Sequence, residues 1–342
     1  MKLGLVGYGF GGRVFHTPFI QAADGIEIAG VVARSPDKIA QLAEDLPGVP
    51  VYPSLGEMIA AGEVEMVTIT TPPETHKPLV MEAIAAGLHV VCDKPFAPTL
   101  ADAEEMVAAA QAKGVLLNVF HNRRWDSDFR TVKHVIDSGL LGQPWRVHNR
   151  MDFDDWDTLE AGPGGGLLRD LGSHIIDQML FLCGPAVAVD AQVDYVNLPE
   201  GRTDASFAVH LRHASGTHSW ITASKINYFT EREIRVYGDK GTFVVNGTDV
   251  QASRAIAGEK PADDPDGWGI EPEEAWGTLH REGGAEVIPS VQSRIQDLYS
   301  EFARAARAGG DGPVPADGAL HTVRILDAAR EAARTGQTVH ID

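Results

Sequence analysis

One predicted helix carries side chains suited to moving protons. Asp170, His174 and Asp177 are spaced four and three residues apart, so they share one face of that helix. Oxidation of an alcohol needs a base for the hydroxyl proton, and an imidazole, with a pKa of about 6.5, suits this role at neutral pH. Asp170, one turn earlier, can orient the imidazole or stabilise its protonated form. The alternative is a solvated Asp–His pair in which Asp170 only supports the helix start, and Asp177 is expected to support the helix or its neighbours.

A glycine-rich turn near the start of the chain is suited to binding a dinucleotide. The run Gly7-Tyr8-Gly9-Phe10-Gly11-Gly12 fits the pattern G-x-G-x-x-G and directly follows an apolar segment. In this pattern the first glycine permits a tight turn, the second lets the backbone approach a pyrophosphate, and the third allows close packing of helix on strand. The next helix offers its N-terminal amides to the anion. A glycine-rich turn without a ligand is the alternative, but the βαβ context favours the dinucleotide.

The end of the second predicted strand indicates which dinucleotide is preferred. A site for NAD usually has an acid there, about 20 residues after the glycines, to bind the ribose 2′-hydroxyl. This chain has Arg34 and Ser35 instead, and both can donate hydrogen bonds to a 2′-phosphate that an acid would repel. We therefore expect NADP(H), with NAD(H) as the alternative because Asp37 is near. Arg34 could also be merely solvated, and Ser35 could cap the following helix.

Further polar residues follow the fourth and fifth predicted strands. Thr71, Pro72 and His76 come after the fourth strand, and Asp93-Lys94-Pro95 comes after the fifth. Open α/β sheets bind their ligands at these carboxyl ends of the strands. We therefore expect Thr71, Pro72, His76 and Lys94 to contact the cofactor. An ordinary surface lysine is the alternative for Lys94.

Strands and helices alternate in the first third of the chain and would position these residues. The predicted strands are residues 3–6, 28–33, 49–52, 66–70, 89–92 and 115–119. Helices are predicted at 78–86 and 101–113, the second with Thr99 as its N-cap and Gly114 at its end. Such alternation indicates right-handed βαβ units and a parallel sheet covered on both faces. Residues 1–121 are therefore predicted to form a doubly wound Rossmann domain.

The rest of the chain has a different pattern. Helices are predicted at about 127–138, 168–182, 294–308 and 317–335, and alternating strands at 187–196, 203–211, 218–224, 233–237 and 242–245. Successive strands without helices between them indicate an antiparallel sheet with one covered face. A stretch rich in Pro, Asp and Gly at 258–269 is predicted to be a surface loop. The fold class is thus α/β, with residues 122–342 as a substrate-binding and oligomerisation α+β domain that has a mostly antiparallel open sheet.

Several motifs in this order resemble the Gfo/Idh/MocA family of oxidoreductases, named for glucose–fructose oxidoreductase and inositol dehydrogenase. They are the glycine-rich turn, Asp93-Lys94-Pro95, residues 164–177 and Gly238-Asp239-Lys240-Gly241. Val14-Phe15-His16 and residues 121–126 and 170–178 are similar to the NADP-dependent scyllo-inositol dehydrogenase subgroup in particular. The resemblance covers essentially the whole chain.

The resemblance implies hydride transfer between a nicotinamide and a secondary alcohol of a cyclitol or sugar. It implies that Lys94, Asp170 and His174 are catalytic and contact the substrate, with Lys94 favouring the developing alkoxide. The family's usual Glu-Lys-Pro is Asp-Lys-Pro here, which keeps the lysine. Residues 151–163 form a shorter segment than in the scyllo-inositol enzymes, so the resemblance does not fix which polyol is used. Most family members are dimers or tetramers, so we expect a homodimer or homotetramer assembled through the open sheet face.

Polar and aromatic residues around the predicted helix are candidates for the substrate rim. Polyols are held by hydrogen bonds from Asp, Asn and Arg and by an aromatic face against their C–H groups. Arg123 and Arg124 can equally pair with acids of this acidic chain. The candidates are Asn122, Arg123, Trp125, Asp152, Asp154 and Trp156.

Composition restricts the partners. Lys and Arg total 29 against 48 Asp and Glu, and the resulting charge of −19 opposes binding to nucleic acid or an anionic membrane. The cysteines, Cys92 and Cys183, form no CxxC pair, and no His, Cys or Asp cluster has the spacing of metal ligands. No stretch approaches the roughly 18 apolar residues of a membrane span, and the N-terminus lacks the pattern of a signal peptide. We therefore expect a cytoplasmic protein without a metal.

Other functions are consistent with the same residues. A dehydrogenase of aldoses or a reductase of keto-sugars would use the same proton-transfer groups. A nucleotide-sensing regulator on this fold is a third candidate, since fold does not determine function. The presence of Lys94, Asp170 and His174 argues against a sensor, which needs the glycines but not these groups.

Overall fold

The computed structural model describes residues 1–162 and 165–341, which form two compact units. Pro163 and Gly164, in the predicted substrate segment and glycine run, lie outside the described residues, as does Asp342. The first unit comprises Met1–Asn122, Gln251–Trp268 and Arg294–Leu320. The second comprises Arg123–Val250, Gly269–Ser293 and His321–Asp342.

The first unit contains a six-stranded sheet whose paired strands are all parallel. Its strands are β1 (Lys2–Val6), β2 (Glu27–Val32), β3 (Val51–Tyr52), β4 (Met66–Ile69), β5 (His89–Cys92) and β6 (Leu117–Val119). They lie side by side in the order β3-β2-β1-β4-β5-β6. This is the strand order of a doubly wound dinucleotide-binding domain, so the predicted Rossmann fold is confirmed.

Helices connect the parallel strands. A π-helical turn (Gly11–His16) leads into α1 (Thr17–Gln21), and α2 (Pro36–Asp45), α3 (Leu55–Ala61), α4 (His76–Ala85) and α5 (Leu100–Lys113) follow. The ends predicted for α5 are confirmed. Thr99 Oγ1 accepts the N–H of Asp102 at 3.1 Å, and Gly114 ends the helix in the left-handed conformation, with φ of +70°.

The second unit contains a nine-stranded sheet. Its strands are β7 (Pro144–Asp154), β8 (Ala186–Leu198), β9 (Gly201–His213), β10 (His218–Ser224), β11 (Ile226–Gly238), β12 (Thr242–Asn246), β13 (Gly277–Arg281), β14 (Gly284–Ile288) and β15 (Val339–His340). Their order is β14-β13-β12-β11-β7-β10-β9-β8-β15, and neighbours are antiparallel except β7 and β10. The predicted mostly antiparallel sheet is confirmed, and the β13–β14 hairpin extends it beyond the predicted strands.

The remaining helices are α6 (Ser127–Asp137), α7 (Leu167–Asp170), α8 (Gly172–Cys183), α9 (Val250–Ile256), α10 (Gln296–Ala308) and α11 (Ala316–Thr335). Apolar residues of α6, α8 and α11 form one buried cluster with one face of the nine-stranded sheet. Along β10, Ile221 and Ala223 belong to this cluster, whereas the alternate residue Trp220 is 38% exposed. The face that carries Trp220, His148 and His210 is called the open face below.

Two segments that the sequence analysis assigned to the second domain group with the first unit. α10 packs on α1, and Ser300 Oγ accepts the N–H of Asp24 at 2.8 Å. Trp268 ends the stretch that was predicted to be a surface loop, yet it is fully buried against Phe19, with ring centroids 5.9 Å apart. The predicted single boundary at residue 121 therefore does not describe the compact units, because these later contacts return the chain to the first one.

The outer edge of β6 is paired with a segment from much later in the chain. Asn118 Nδ2 donates to the carbonyl oxygen of Asp311, 193 positions later, at 2.9 Å. Asn118 Oδ1 accepts the N–H of Val314 at 2.8 Å, and Val119 donates to the Val314 carbonyl at 3.0 Å. This edge strand is thereby paired within the chain, through one of its backbone N–H groups and the side-chain amide of Asn118.

Candidate active site

The glycine-rich turn has the geometry that a dinucleotide phosphate requires. Gly7 adopts φ of +102°, a conformation that side chains disfavour. A Cβ at Gly12 would lie 2.7 Å from the Gly7 carbonyl oxygen and from Thr70 Oγ1, so only glycine lets the helix pack this closely. A Cβ at Gly9 would meet no described atom within 4 Å. The turn is thus closed at Gly12 and open at Gly9, which fits a bound pyrophosphate.

Tyr8 and Arg13 hold this turn against the end of α2. Tyr8 Oη donates to Asp45 Oδ2 at 2.7 Å, and Arg13 Nε donates to the same oxygen at 2.6 Å. Burial and the hydrogen bond to Asp45 raise the pKa of the Tyr8 phenol, and the Arg13 guanidinium lowers the pKa of Asp45. The Tyr8 side chain therefore braces the turn, whereas Phe10 is exposed.

Arg34, Ser35 and Asp37 lie together where β2 ends and α2 begins. All three are exposed. A hydrogen bond from Ser35 lowers the pKa of the Asp37 carboxyl. The tip of the strand thus presents a cation, a hydroxyl and a carboxylate. The first two could bind the 2′-phosphate of NADP, and the carboxylate could bind the ribose 2′-hydroxyl of NAD, so both alternatives remain.

His76 ties together two loops at the carboxyl ends of the strands. It is fully buried, with Nε2 2.8 Å from the Thr71 carbonyl oxygen and Nδ1 3.2 Å from the Phe96 carbonyl oxygen. Both ring nitrogens therefore face the backbone of the chain. Of the residues predicted after β4, His76 shapes the loop, and Thr71 and Pro72 stay predictions as cofactor contacts.

Asp93 links Lys94 to a buried polar chain. Asp93 Oδ1 accepts the backbone N–H of Lys94 at 2.7 Å, and Asp93 Oδ2 lies 3.3 Å from His16 Nε2. His16 Nδ1 is in turn 2.6 Å from Tyr299 Oη. Burial opposes ionisation of Asp93, but the charge and hydrogen bond of His16 outweigh it and lower the pKa of Asp93. The lysine backbone is therefore held by a carboxylate that is itself fixed from within the first unit.

Asp170 and His174 lie on either side of a helix junction in the second unit. The predicted single helix is divided into α7, which ends at Asp170, and α8, which begins at Gly172. His174 is buried in the first turn of α8, and its N–H donates to the Leu171 carbonyl at 3.0 Å. Asp170 and His174 therefore lie in consecutive helical turns, each of which is closed by backbone hydrogen bonds.

Asp204 of β9 caps the start of α7. The residue before this helix, Gly166, has φ of +100° and no side chain to serve as a cap. Asp204 Oδ2 instead accepts the N–H of Leu168 at 2.6 Å. A Cβ at Gly166 would lie 2.1 Å from Asp204 Oδ1. The glycine thus leaves room for a tertiary cap, which sequence spacing alone does not predict.

Lys225 is a residue of this site that the sequence analysis missed. Its Nζ lies 3.1 Å from Asp170 Oδ2 and 2.8 Å from Thr158 Oγ1. A signal was present in the sequence, because Lys225 continues the alternation in which Ile221 and Ala223 face the helices. A lysine in phase with buried apolar residues needs hydrogen-bond acceptors, and here Asp170 and Thr158 provide them.

Asp177 supports α8, as expected. Arg124 donates to it twice, from Nε to Oδ2 and from Nη2 to Oδ1, both at 2.7 Å. Gln178 Nε2 donates to the carbonyl oxygen of Arg123 at 2.9 Å. These bonds fasten the helix that carries His174 to the segment before α6.

Arg123 also pairs with acids, the alternative that the sequence left open. Its Nη1 lies 2.9 Å from both Asp126 Oδ2 and Asp249 Oδ2. Arg232 joins this buried cluster, 3.1 Å from Asp126. The guanidinium of Arg123 is therefore engaged within the second unit rather than placed on a substrate rim. Trp125 is likewise buried, with Arg130 5.0 Å from its ring centroid.

Asp152 and Asp154 are not brought together with His174. They lie in β7 in phase with Arg150 and out of phase with the buried Met151, so they point to the open face. The strand β7 continues into the segment 151–163 as far as Asp154, and its alternation turns these acids away from α8. Arg150 Nε lies 3.9 Å from Asp152 Oδ2.

Trp156 and Asn122 stay predictions as substrate contacts. Trp156 is exposed in a 3₁₀ turn, and its ring centroid is 6.2 Å from that of Tyr228. Asn122 is half-buried at the end of the first unit's opening segment. Neither residue lies in β7, so strand alternation does not direct its side chain away from α8 as it does for Asp152.

Residues 1–162 and 165–341 contain no group of three or more His, Cys, Asp and Glu side chains that could hold a metal ion. Within the same residues, every helix is too short or too polar to cross a membrane.

Two family models match the chain. One, described as an oxidoreductase family with an NAD-binding Rossmann fold, matches residues 1–121, and the GFO/IDH/MocA C-terminal domain matches residues 129–244. The chain belongs to the Gfo/Idh/MocA family of oxidoreductases. The resemblance carried by the sequence motifs is thus confirmed, and with it the assignment of the chain to an enzyme family that binds a nicotinamide dinucleotide.

Relatives within the Gfo/Idh/MocA family match along the whole chain. Scyllo-inositol 2-dehydrogenase (NADP(+)) IolW of Bacillus subtilis (strain 168) is 34% identical, over 100% of this chain and 96% of that protein. D-apiose dehydrogenase of Paraburkholderia graminis is 27% identical, over 99% and 89%. The solved structure of the oxidoreductase yvaA from Bacillus subtilis has a TM-score of 0.91 at 32% identity, over 100% of both chains.

Proposed function

We propose that this protein is an NADP(H)-dependent dehydrogenase that moves a hydride between the nicotinamide and a secondary alcohol of a cyclitol or sugar. Its main support is the full-length similarity to scyllo-inositol 2-dehydrogenase (NADP(+)). The open space at Gly9 suits the pyrophosphate, and the pair of Asp170 and His174 suits the proton transfer. A small polyol or sugar is the proposed partner, and a cytoplasmic homodimer or homotetramer is the expected state.

The chain's own residues have separate tasks in this proposal. The bound nicotinamide supplies the hydride acceptor in oxidation and the donor in reduction. His174 takes the hydroxyl proton of the substrate, and Asp170 keeps a negative charge near the imidazole as it becomes protonated. Lys94 adds positive charge that favours the alkoxide form of the reacting oxygen. In reduction His174 returns the proton to that oxygen.

Cofactor choice is proposed to follow from Arg34 and Ser35. The guanidinium and the hydroxyl both donate to a 2′-phosphate, and a charge-assisted bond is stronger than a neutral one. The neighbouring Asp37 would favour the ribose diol of NAD instead. Exposure of the tip allows either use, and the NADP in the name of the Bacillus subtilis relative favours the phosphate.

An aldose substrate is the second candidate. The similarity to D-apiose dehydrogenase supports it.

The decisive experiment is a spectrophotometric screen of purified protein against cyclitols and aldoses, with NADP and NAD supplied separately. Formation of reduced nicotinamide with a cyclitol and NADP would support the proposal. Turnover of aldoses alone would favour the second candidate. Tight dinucleotide binding without turnover of any polyol, aldose or keto-sugar would overturn both and favour a nucleotide-sensing protein.

A further inference from the structure

Lys225 is a buried cation next to a proposed catalytic carboxylate. The side chain of Lys225 is 9% exposed, whereas that of Asp170 is 43% exposed. The ammonium group therefore belongs to a side chain that is much less exposed than the carboxylate it contacts. A buried ammonium is costly unless it is paired and hydrogen-bonded, and Asp170 Oδ2 at 3.1 Å and Thr158 Oγ1 at 2.8 Å provide both.

Thr158 extends this contact to the segment after β7. Its hydroxyl donates to the Asp155 carbonyl oxygen at 3.1 Å or to Asp155 Oδ2 at 2.8 Å, and it accepts from Lys225. Thr203 Oγ1 holds the same segment from β9 by donating to the Glu160 carbonyl at 2.7 Å. Lys225 thus bridges the end of α7 and a short segment that is fastened at both ends.

We propose that Lys225 is a positioning residue for catalysis, which keeps Asp170 ionised and fixes the direction of its carboxylate. The inference rests on the proposed function, because it assigns Asp170 a role in the same proton transfer. An opposite charge at this distance favours the ionised form of a carboxyl group. The contact between Lys225 Nζ and Asp170 Oδ2 also restricts rotation of the carboxylate. Its other oxygen, Oδ1, is therefore held in one orientation.

The test compares Lys225→Met with Lys225→Arg and with Lys133→Met as the matched control. Lys133 pairs with Asp137 on the surface of α6 at 2.7 Å, outside the proposed site. We expect Lys225→Met to lower kcat roughly ten- to hundredfold, as misplacement of a catalytic group does, with a smaller effect on KM. We expect the arginine variant to recover much of the loss and Lys133→Met to match the wild type.

The pH profile separates this role from a merely structural one. Removal of the cation makes Asp170 harder to ionise, so the acid limb of kcat/KM moves to higher pH in Lys225→Met. In an Asp170→Asn background the lysine has no carboxylate to hold, and the Lys225→Met change should then cost little more. An unmoved acid limb, or losses that multiply in the double variant, would overturn the proposal.

A measurement without substrate tests the role of Lys225 even if the proposed dehydrogenase activity is wrong. The ¹³C signal of the Asp170 carboxyl, assigned by its loss in Asp170→Asn, is titrated in the wild type and in Lys225→Met. We expect a higher titration midpoint in the variant, and an equal midpoint would overturn the proposal even if no polyol were turned over. Should the methionine variant fail to fold, Lys225→Gln replaces it in both measurements.

Discussion

Ser35 and Asp37 lie two positions apart at the tip of β2, and the hydroxyl of Ser35 lowers the pKa of the Asp37 carboxyl. The group that was predicted to bind a 2′-phosphate therefore also stabilises the charge of an acid that would oppose one. Arg34 lies exposed beside them. We expect the guanidinium of Arg34 to carry most of the preference for NADP, because its charge is opposite to that of the phosphate.

This arrangement predicts a cofactor preference that depends on Arg34. We expect kcat/KM for NADP to exceed that for NAD by roughly ten- to hundredfold, the range that one charge-assisted hydrogen bond supports. Arg34→Ala should remove most of this ratio, and Asp37→Asn should increase it because repulsion of the phosphate is lost. Arg281→Ala, which changes an exposed arginine on β13, is the control. Equal use of both cofactors by the wild type, or an unchanged ratio in Arg34→Ala, would contradict this prediction.

Loss of the proton-transfer groups should abolish turnover without unfolding the protein. We expect His174→Ala and Lys94→Ala each to lower kcat by roughly 10²–10⁴-fold, the effect of removing an acid–base or electrostatic group. Circular dichroism and dinucleotide affinity should stay near the wild-type values. His280→Ala, at an exposed position of β13, is the matched control. Near-normal turnover by His174→Ala would exclude it as the base.

Two glycines of the same turn should respond differently to alanine. Gly12→Ala places a Cβ 2.7 Å from backbone and from Thr70, so we expect a lower melting temperature together with weaker binding. Gly9→Ala meets no described atom within 4 Å, so we expect an unchanged melting temperature and a large loss of dinucleotide affinity. Thermal denaturation and fluorescence titration with reduced dinucleotide measure the two effects. Full affinity in Gly9→Ala would place the pyrophosphate elsewhere.

The open face of the nine-stranded sheet should mediate self-association. It exposes Trp220, stacked on His210 with ring centroids 4.4 Å apart, and such aromatic surfaces are typical of interfaces. Light scattering at micromolar concentration should give a dimer or tetramer, and Trp220→Asp should shift it towards the monomer. Val51→Asp, at an exposed position of the first unit, should leave the mass unchanged. A monomeric wild type would refute the prediction.

The sequence predicted those features that depend on local pattern. β1, β4 and β5 are short apolar runs, so these strands and the glycine-rich turn could be inferred without tertiary information. Lys225 was missed, and the face on which Asp152 lies was not predicted, because each depends on how far a strand continues. One residue more or less in β7 decides which face an acid takes.

The buried arginines show a second limit of sequence reasoning. Arg123 and Arg124 are adjacent in the sequence, and an arginine is suited both to a substrate rim and to a buried ion pair. Only the arrival of Asp249 and Asp177 from distant positions distinguishes the two. The same holds for α10, whose apolar face is evident in the sequence but whose partner, α1, is not.

The pairing of β6 with the segment around Val314 has a consequence for synthesis of the protein. When the ribosome has released the first 122 residues, all six strands of the first sheet exist, but the outer edge of β6 has no partner. That edge stays available to other strands until Asp311–Val314 has emerged, nearly 200 residues later. A nascent chain of this protein is therefore most prone to aggregation after its first sheet has formed and before Val314 has emerged, and this interval is where a chaperone would act.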